Sequence, residues 1–135
     1  MAEELIIELC SNLNLDAPEL QKDKSYLLRI NEYIDIKVWY LDPGYYFNAD
    51  LLPPPTRNRE DFFSYLMSAN VLGQGTGGSR IGLDIEGKVL TLSYMIPYAP
   101  NYKEFKETIE DFVNYVIYWK DEITRYKKEI ESSIV

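Results

Sequence analysis

Histidine is absent, cysteine occurs once, and Lys and Arg number 14 against 22 Asp and Glu in 135 residues. Each shortage closes a class of function. Without an imidazole there is no histidine acid/base catalysis near neutral pH, and a zinc site would need an all-carboxylate shell, which excludes structural zinc. The lone Cys10 has no partner for an internal disulfide. A formal net charge of −8 works against phosphate backbones, because counterion release needs clustered Lys and Arg; nucleic acid is not an expected partner. Long apolar runs are missing too. No run approaches the ~20 residues that span a bilayer, and the opening MAEELIIELC is acidic where a secretory signal carries Lys or Arg. The expectation is a cytoplasmic protein with no membrane association.

What is present suits one domain spanning residues 1–135, long enough to hold a core without disulfides or metal. Twelve tyrosines and two tryptophans help to bring the aromatic share to 14%, more than a small core needs. Tyr combines apolar area with a polar tip at low entropy cost, so the composition favours a protein that touches other proteins.

The hydrophobic period changes along the chain. From Ala2 to Leu15 the residues Ala2, Leu5, Ile6, Leu9, Cys10 and Leu13 recur at spacings of three and four opposite Glu3, Glu4 and Glu8, which predicts an amphipathic helix ended by Asp16-Ala17-Pro18. Ile7 falls among the glutamates: a stray exposed side chain or a contact residue. Between Ser25 and Leu52 the period becomes two, predicting three antiparallel strands with turns at Asn31-Glu32 and Asp42-Pro43-Gly44. Tyr26, Leu28, Ile30, Ile34, Ile36, Val38, Tyr40, Tyr45, Phe47, Ala49 and Leu51 mark the core face. The other face mixes Arg29, Asp35, Lys37 and Asn48 with Leu27, Trp39 and Tyr46, large apolar groups covered either by the chain's own loop or by a partner.

Pro53-Pro54-Pro55 reads as a stiff extended connector rather than a domain linker. Asn58 is placed to cap a helix from Arg59 to about Leu72 whose apolar face carries Phe62, Phe63, Leu66 and Met67. A glycine segment, Gly73 to Gly78, leads to a hairpin: Ile81, Leu83 and Ile85 going out, a turn at Glu86-Gly87, and Leu90, Leu92, Tyr94 and Ile96 returning. Asn101 with Glu104 has the form of a capping box opening the longest helix, to about Ile130. Along it Phe105, Ile109, Phe112, Val116, Trp119, Ile123, Tyr126 and Ile130 recur every three and four residues. That period permits a coiled coil, but the bulky aromatics favour packing on a sheet.

No catalytic set emerges. The glycine segment follows a helix and precedes a strand, the reverse of a phosphate-binding loop, and no Lys occurs in it before Lys88. Asp84 and Glu86 flank a turn, and Glu107, Glu110 and Asp111 lie on the polar side of the last helix, as solvated charges do. Cys10, on the apolar stripe of the first helix, reads as a small buried hydrophobe.

The order helix, three strands, helix, two strands, long helix resembles the class I type III secretion chaperones, the Tir-chaperone (CesT) family. The stretch that carries the likeness runs from Phe62 to Pro97: Leu66-Met67-Ser68-Ala69-Asn70-Val71-Leu72, the glycine segment, Arg80-Ile81-Gly82-Leu83-Asp84, Val89-Leu90-Thr91-Leu92 and Ile96-Pro97, with Trp119 late in the last helix. The triple proline departs from the family pattern and leaves the connector's path open. The resemblance implies an α+β fold, an antiparallel sheet of about five strands with three helices. It also implies no enzymatic activity and no cofactor. The implied partners are a secreted effector bound by its N-terminal region, a second copy as homodimer or a different chaperone as heterodimer, and the secretion ATPase or sorting components. Effector contacts are expected at Ile7, Leu27, Trp39 and Tyr46, and a dimer contact at Leu66, Met67, Val71, Leu92 and Tyr94. A small acidic adaptor of similar fold outside secretion, and a carboxylate hydrolase, are the rival readings.

Overall fold

The computed structural model describes residues 2–70 and 77–132. The expected interface residue Val71, the expected helix end at Leu72 and the glycine segment through Thr76 lie outside the described residues. The elements are α1 (Ala2–Asn12), β1 (Glu19–Leu20), β2 (Tyr26–Arg29), β3 (Asp35–Tyr40), β4 (Tyr45–Asp50), α2 (Arg59–Asn70), β5 (Arg80–Leu83), β6 (Leu90–Ile96) and α3 (Tyr102–Ser132). The α+β architecture is the one expected, with one addition. Glu19–Leu20 pairs antiparallel with β2, so the sheet has six strands in the order β1-β2-β3-β4-β6-β5. A two-residue strand is too short to leave a period in the sequence.

Three local details differ from the periodicity. Helix α1 stops at Asn12 rather than running to Leu15. Asn14 takes the left-handed conformation (φ 55°) and the Leu15 amide reaches back to the Cys10 carbonyl at 2.8 Å. That closure satisfies the last carbonyls of the helix four residues before Pro18 could act. Second, Ile85 is fully exposed rather than on the core face, because β5 ends at Leu83. The Asp84 carboxylate takes the amides of Lys88 (2.7 Å) and Val89 (3.1 Å), and this side-chain turn replaces ladder hydrogen bonds. Third, Ile34 is buried as the alternation places it, in a turn where the Asn31 carboxamide accepts the amides of Tyr33 and Ile34, but Tyr40 at the end of β3 is exposed where the same alternation points it inward, its hydroxyl donating to Asp42 Oδ1 at 3.0 Å.

One face of the sheet is buried under the helices. Ile6, Leu9 and Cys10 of α1, Phe62 and Leu66 of α2, and Phe105, Ile109, Phe112, Val116, Trp119 and Ile123 of α3 join Leu28, Ile36, Val38, Phe47, Ala49, Ile81, Leu90 and Leu92 in one hydrophobic cluster. Phe47 lies 5.9 Å from Phe105 and 5.8 Å from Phe112, ring centre to ring centre. Farther along, Trp119 and Tyr126 meet Tyr65 and Phe62 of α2 at 5.9 and 5.0 Å, so the α3 stripe is spent inside the domain, on the sheet and on α2, and not on a coiled-coil partner. The start of α3 is the reciprocal cap anticipated from sequence: Glu104 N–H donates to Asn101 Oδ1 (2.8 Å), and Asn101 N–H donates to Glu104 Oε1 (3.3 Å).

Candidate protein-binding surfaces

The register of the central strands decides what the outer sheet face carries. Trp39 is opposite Tyr46, and Tyr46 is opposite Met95, so three large side chains form a row across β3, β4 and β6. The Trp39 and Tyr46 rings meet at 5.7 Å, both half-buried, while Met95 is exposed. Beside this row the face becomes polar, through Asn48, Ser93 and Arg80, then Asp50 and Thr91. These residues and the β5–β6 turn, Asp84 to Glu86, bound an open groove of about 680 Å³. The proline connector does not cover it: Pro53, Pro54 and Pro55 line a separate groove with Lys127 and Ile130 at the far end of α3.

Leu27, expected with the aromatics, shares their face but faces Lys37 in the register. It lies in a neighbouring hollow with Tyr33, Asp35, Asn48, Asp50 and Lys120. Sequence reasoning passed over Met95, although its place between the inward Tyr94 and Ile96 puts it on the outer face by period two alone.

Trp39 is held from the side. The turn joining β1 and β2 folds with Lys24 left-handed (φ 70°), closed by Gln21 N–H to the Ser25 carbonyl (2.8 Å) and Lys24 N–H to the Gln21 carbonyl (3.0 Å). Asp23 fixes this turn: its Oδ1 accepts the Ser25 amide (3.0 Å) and hydroxyl (2.6 Å), and its Oδ2 accepts Lys37 Nζ (3.2 Å). The Ser25 hydroxyl, the Ser25 amide and then Lys37 hold the Asp23 carboxyl down to about 2, well below the usual carboxylate range. From this turn the Asp23 backbone carbonyl accepts the Trp39 indole N–H at 3.1 Å.

Ile7 is on a different surface. It is exposed on α1, where it lines a groove of about 410 Å³ with Glu3, Cys10, Ser11, Leu15, Ala17, Pro18 and Tyr26. The early stop of α1 turns Leu15 and Pro18 back along the helix and so makes the second wall. Partial burial, then the neighbouring Glu3 carboxylate, raise the Tyr26 hydroxyl above its ordinary range, and burial raises the Cys10 thiol. The structure thus gathers Leu27, Trp39 and Tyr46 on the outer face and leaves Ile7 apart.

The residues expected at a dimer contact also divide. Leu66 and Leu92 are inside the core, 4% and 0% exposed. They support a surface from beneath and do not form one, because the α2 face carrying Leu66 packs inward and Leu92 belongs to the inward alternation of β6. Tyr94 is half-buried, its ring stacked 6.4 Å from Phe47. Met67 is open at 67% exposure, on the other side of α2. Near the free sheet edge Leu83 and Ile85 are exposed as well.

Among the described residues no group of His, Cys, Asp and Glu is placed to hold a metal ion, and no helix is long and apolar enough to cross a membrane. A polar group between α2 and α3 is structural. Tyr65 of α2 donates to Glu122 of α3 at 2.8 Å, and Arg125 clasps the same carboxylate at 2.8 and 3.2 Å. Desolvation first, and Glu122 second, push the Tyr65 hydroxyl up to about 12.

A sheet with one face under three helices and the other presenting an aromatic row, beside a second apolar groove on α1, is the layout of a protein-binding module. The comparisons with known proteins agree. The Tir chaperone protein (CesT) family matches residues 4–120, and the chain belongs to that family, the class I chaperones of type III secretion. A Chlamydia pneumoniae protein designated CPj0713/CpB0740 is 28% identical over 126 residues, 91% of this chain and 96% of its own length. Solved structures share the fold at low identity. The ExsC–ExsE complex superposes with a TM-score of 0.74 at 16% identity, over 90% of this chain and 92% of the other. The HopA1–SchA chaperone–effector complex gives 0.68 at 13%, over 88% and 92%. The Yersinia pestis type III secretion chaperone SycH, in complex with a fragment of YscM2, gives 0.64 at 11%, over 87% and 98%.

Proposed function

We propose that this chain, acting as one domain in the bacterial cytoplasm, binds the N-terminal chaperone-binding segment of a secreted effector, keeps it export-competent and delivers it to the secretion apparatus. It does so as a dimer and without catalysis. Beside family membership, the observation that carries this reading is the row Trp39, Tyr46 and Met95 on the sheet face that the helices do not cover. Tyr and Trp are the side chains that most often anchor interfaces, and an extended segment lying across the row would bury them together. Ile7 and its groove extend the same function to a second stretch of the effector, since a wrapped segment reaches both layers of the fold.

The test is co-purification from the native host with mass spectrometry of what is retained, comparing wild type with a Trp39→Ala, Tyr46→Ala double variant whose fold is checked by circular dichroism. Truncating one aromatic anchor commonly costs about 2 kcal/mol of binding, roughly thirtyfold. A secreted effector kept by wild type and lost from the variant is the expected result. Equal retention by both proteins moves the effector site off this face.

A further inference from the structure

The aromatic row is built in an unusual way at one end. A tryptophan on an open sheet face ordinarily turns its indole N–H to solvent or to a ligand, which makes it amphipathic as an anchor. Here that donor is already bonded to the Asp23 carbonyl at 3.1 Å. The carbonyl is itself fixed, because the Asp23 carboxylate ties the turn to Ser25 and to Lys37. Ser25 is fully buried, so the turn is anchored in the body of the protein. Asp23 and Lys37, the charged groups that take part in this arrangement, form an ion pair at 3.2 Å.

On the reading of the outer face as the effector-binding surface, we propose that Asp23 is a positioning residue for Trp39. By ordering the β1–β2 turn it holds the indole in one orientation with its N–H consumed, so the ring offers a partner only carbon. The partner side chain that this end of the row selects is therefore aliphatic, not a hydrogen-bond acceptor. Two physical consequences follow. An anchor fixed before binding loses little rotamer freedom on binding, which favours affinity. An acceptor placed against the ring would lose its water without gaining a donor, which disfavours polar side chains there.

The experiment uses the full chain, labelled with ¹⁵N, and two fluorescent peptides of about twelve residues, long enough to cross the sheet face. One alternates leucine and serine, the other asparagine and serine. Wild type should bind the leucine peptide roughly tenfold more tightly, with the Trp39 indole N–H slow to exchange with solvent before peptide is added. Asp23→Ala should weaken the leucine peptide roughly fivefold, move the Trp39 indole resonance toward its free position and narrow the preference over asparagine. Asp23→Asn, which keeps an oxygen for Ser25, should restore most of both. Asp23→Ala and Trp39→Ala should be non-additive, which a general loss of stability would not produce.

The failures separate. If Trp39→Ala binds the leucine peptide as wild type does, the effector face is misplaced and the proposal falls with it; if Trp39→Ala loses binding but wild type shows no preference for the leucine peptide, the selection of an aliphatic side chain is wrong while the face stands. If Trp39→Ala loses binding but Asp23→Ala binds like wild type with its indole resonance unmoved, the positioning role alone is wrong. Should Asp23→Ala not fold, the wild-type indole decides: exchange at the rate of free tryptophan overturns the proposal.

Discussion

Asn70, the last residue of α2, closes the free edge of the sheet. Its Oδ1 accepts the Ile81 amide and its Nδ2 donates to the Ile81 carbonyl, each at 2.8 Å. That is the pattern a neighbouring strand would supply, delivered by one side chain to the middle of β5. Asn70→Ala deletes both bonds. A net hydrogen bond contributes about 1 kcal/mol, so the loss should be about 2 kcal/mol, more if water reaches the part-buried Ile81 groups poorly. For a chain of this length that corresponds to a fall in Tm of roughly 6 °C. Urea unfolding measures the energy, and amide hydrogen exchange localises it: Ile81 should lose protection by a factor on the order of ten to one hundred, while Phe47 and Leu92, deep in the sheet, should not change. Asn70→Asp is the sharper test. The introduced carboxylate still accepts from the amide but faces the Ile81 carbonyl with a negative charge, so its pKa in the folded state is raised above its unfolded value of about 3.9. Its neutral form can donate to that carbonyl. The stability of this variant is therefore fully present below the unfolded pKa and is lost as pH rises through the folded one, opposite to a typical carboxylate. If Asn70→Ala changes stability by less than about 0.5 kcal/mol and Ile81 protection is unaltered, the edge is held by the β5–β6 ladder alone and the reasoning fails.

Three further outcomes can be checked. Asn101→Ala removes the capping oxygen of α3 and should cost about 1 kcal/mol by chemical denaturation, with Glu104→Ala adding little because the two bonds form one reciprocal unit. Tyr65 should be among the last tyrosines to ionise in a spectrophotometric titration: its folded pKa of about 12 lies above the ordinary 10. Folding thus favours the neutral phenol, a contribution present below pH 10 and lost as pH rises toward 12. Tyr65→Phe should flatten that decline, and an unchanged alkaline profile would rule it out. Met67→Asp, on the exposed side of α2, should shift light scattering from dimer to monomer at tens of micromolar, since two charges desolvated across a two-fold axis cost several kcal/mol. A wild type already monomeric at that concentration refutes a dimer through this region.

How much of this was legible before folding depends on the range of the interaction that decides it. Local periodicity and end chemistry determined the order of every element except the two-residue β1, most of the inward faces of β3, β4, β6 and α3, and the Asn101–Glu104 cap, because each is set within a few residues by side chains alternating across a strand or recurring along a helix. The turn at Asp84 was beyond that reach: alternation continued through Ile85, and only a carboxylate folding back on Lys88 and Val89 ended the strand. Leu66 and Leu92 carried the apolar signature of either a core or an interface, and burial against α3 and β5 decided for the core. The candidate site shows the same division. Trp39, Tyr46 and Leu27 were visible from sequence as large groups on a polar face. Their being joined by Met95, the separation of Ile7, and the bond from Asp23 to the indole were decided by strand register and by contacts between segments 16 residues apart. Sequence specifies which side chains leave the core. Only the tertiary structure, by bringing distant backbone within hydrogen-bonding distance, decides which of them stand together and which of their polar atoms remain free.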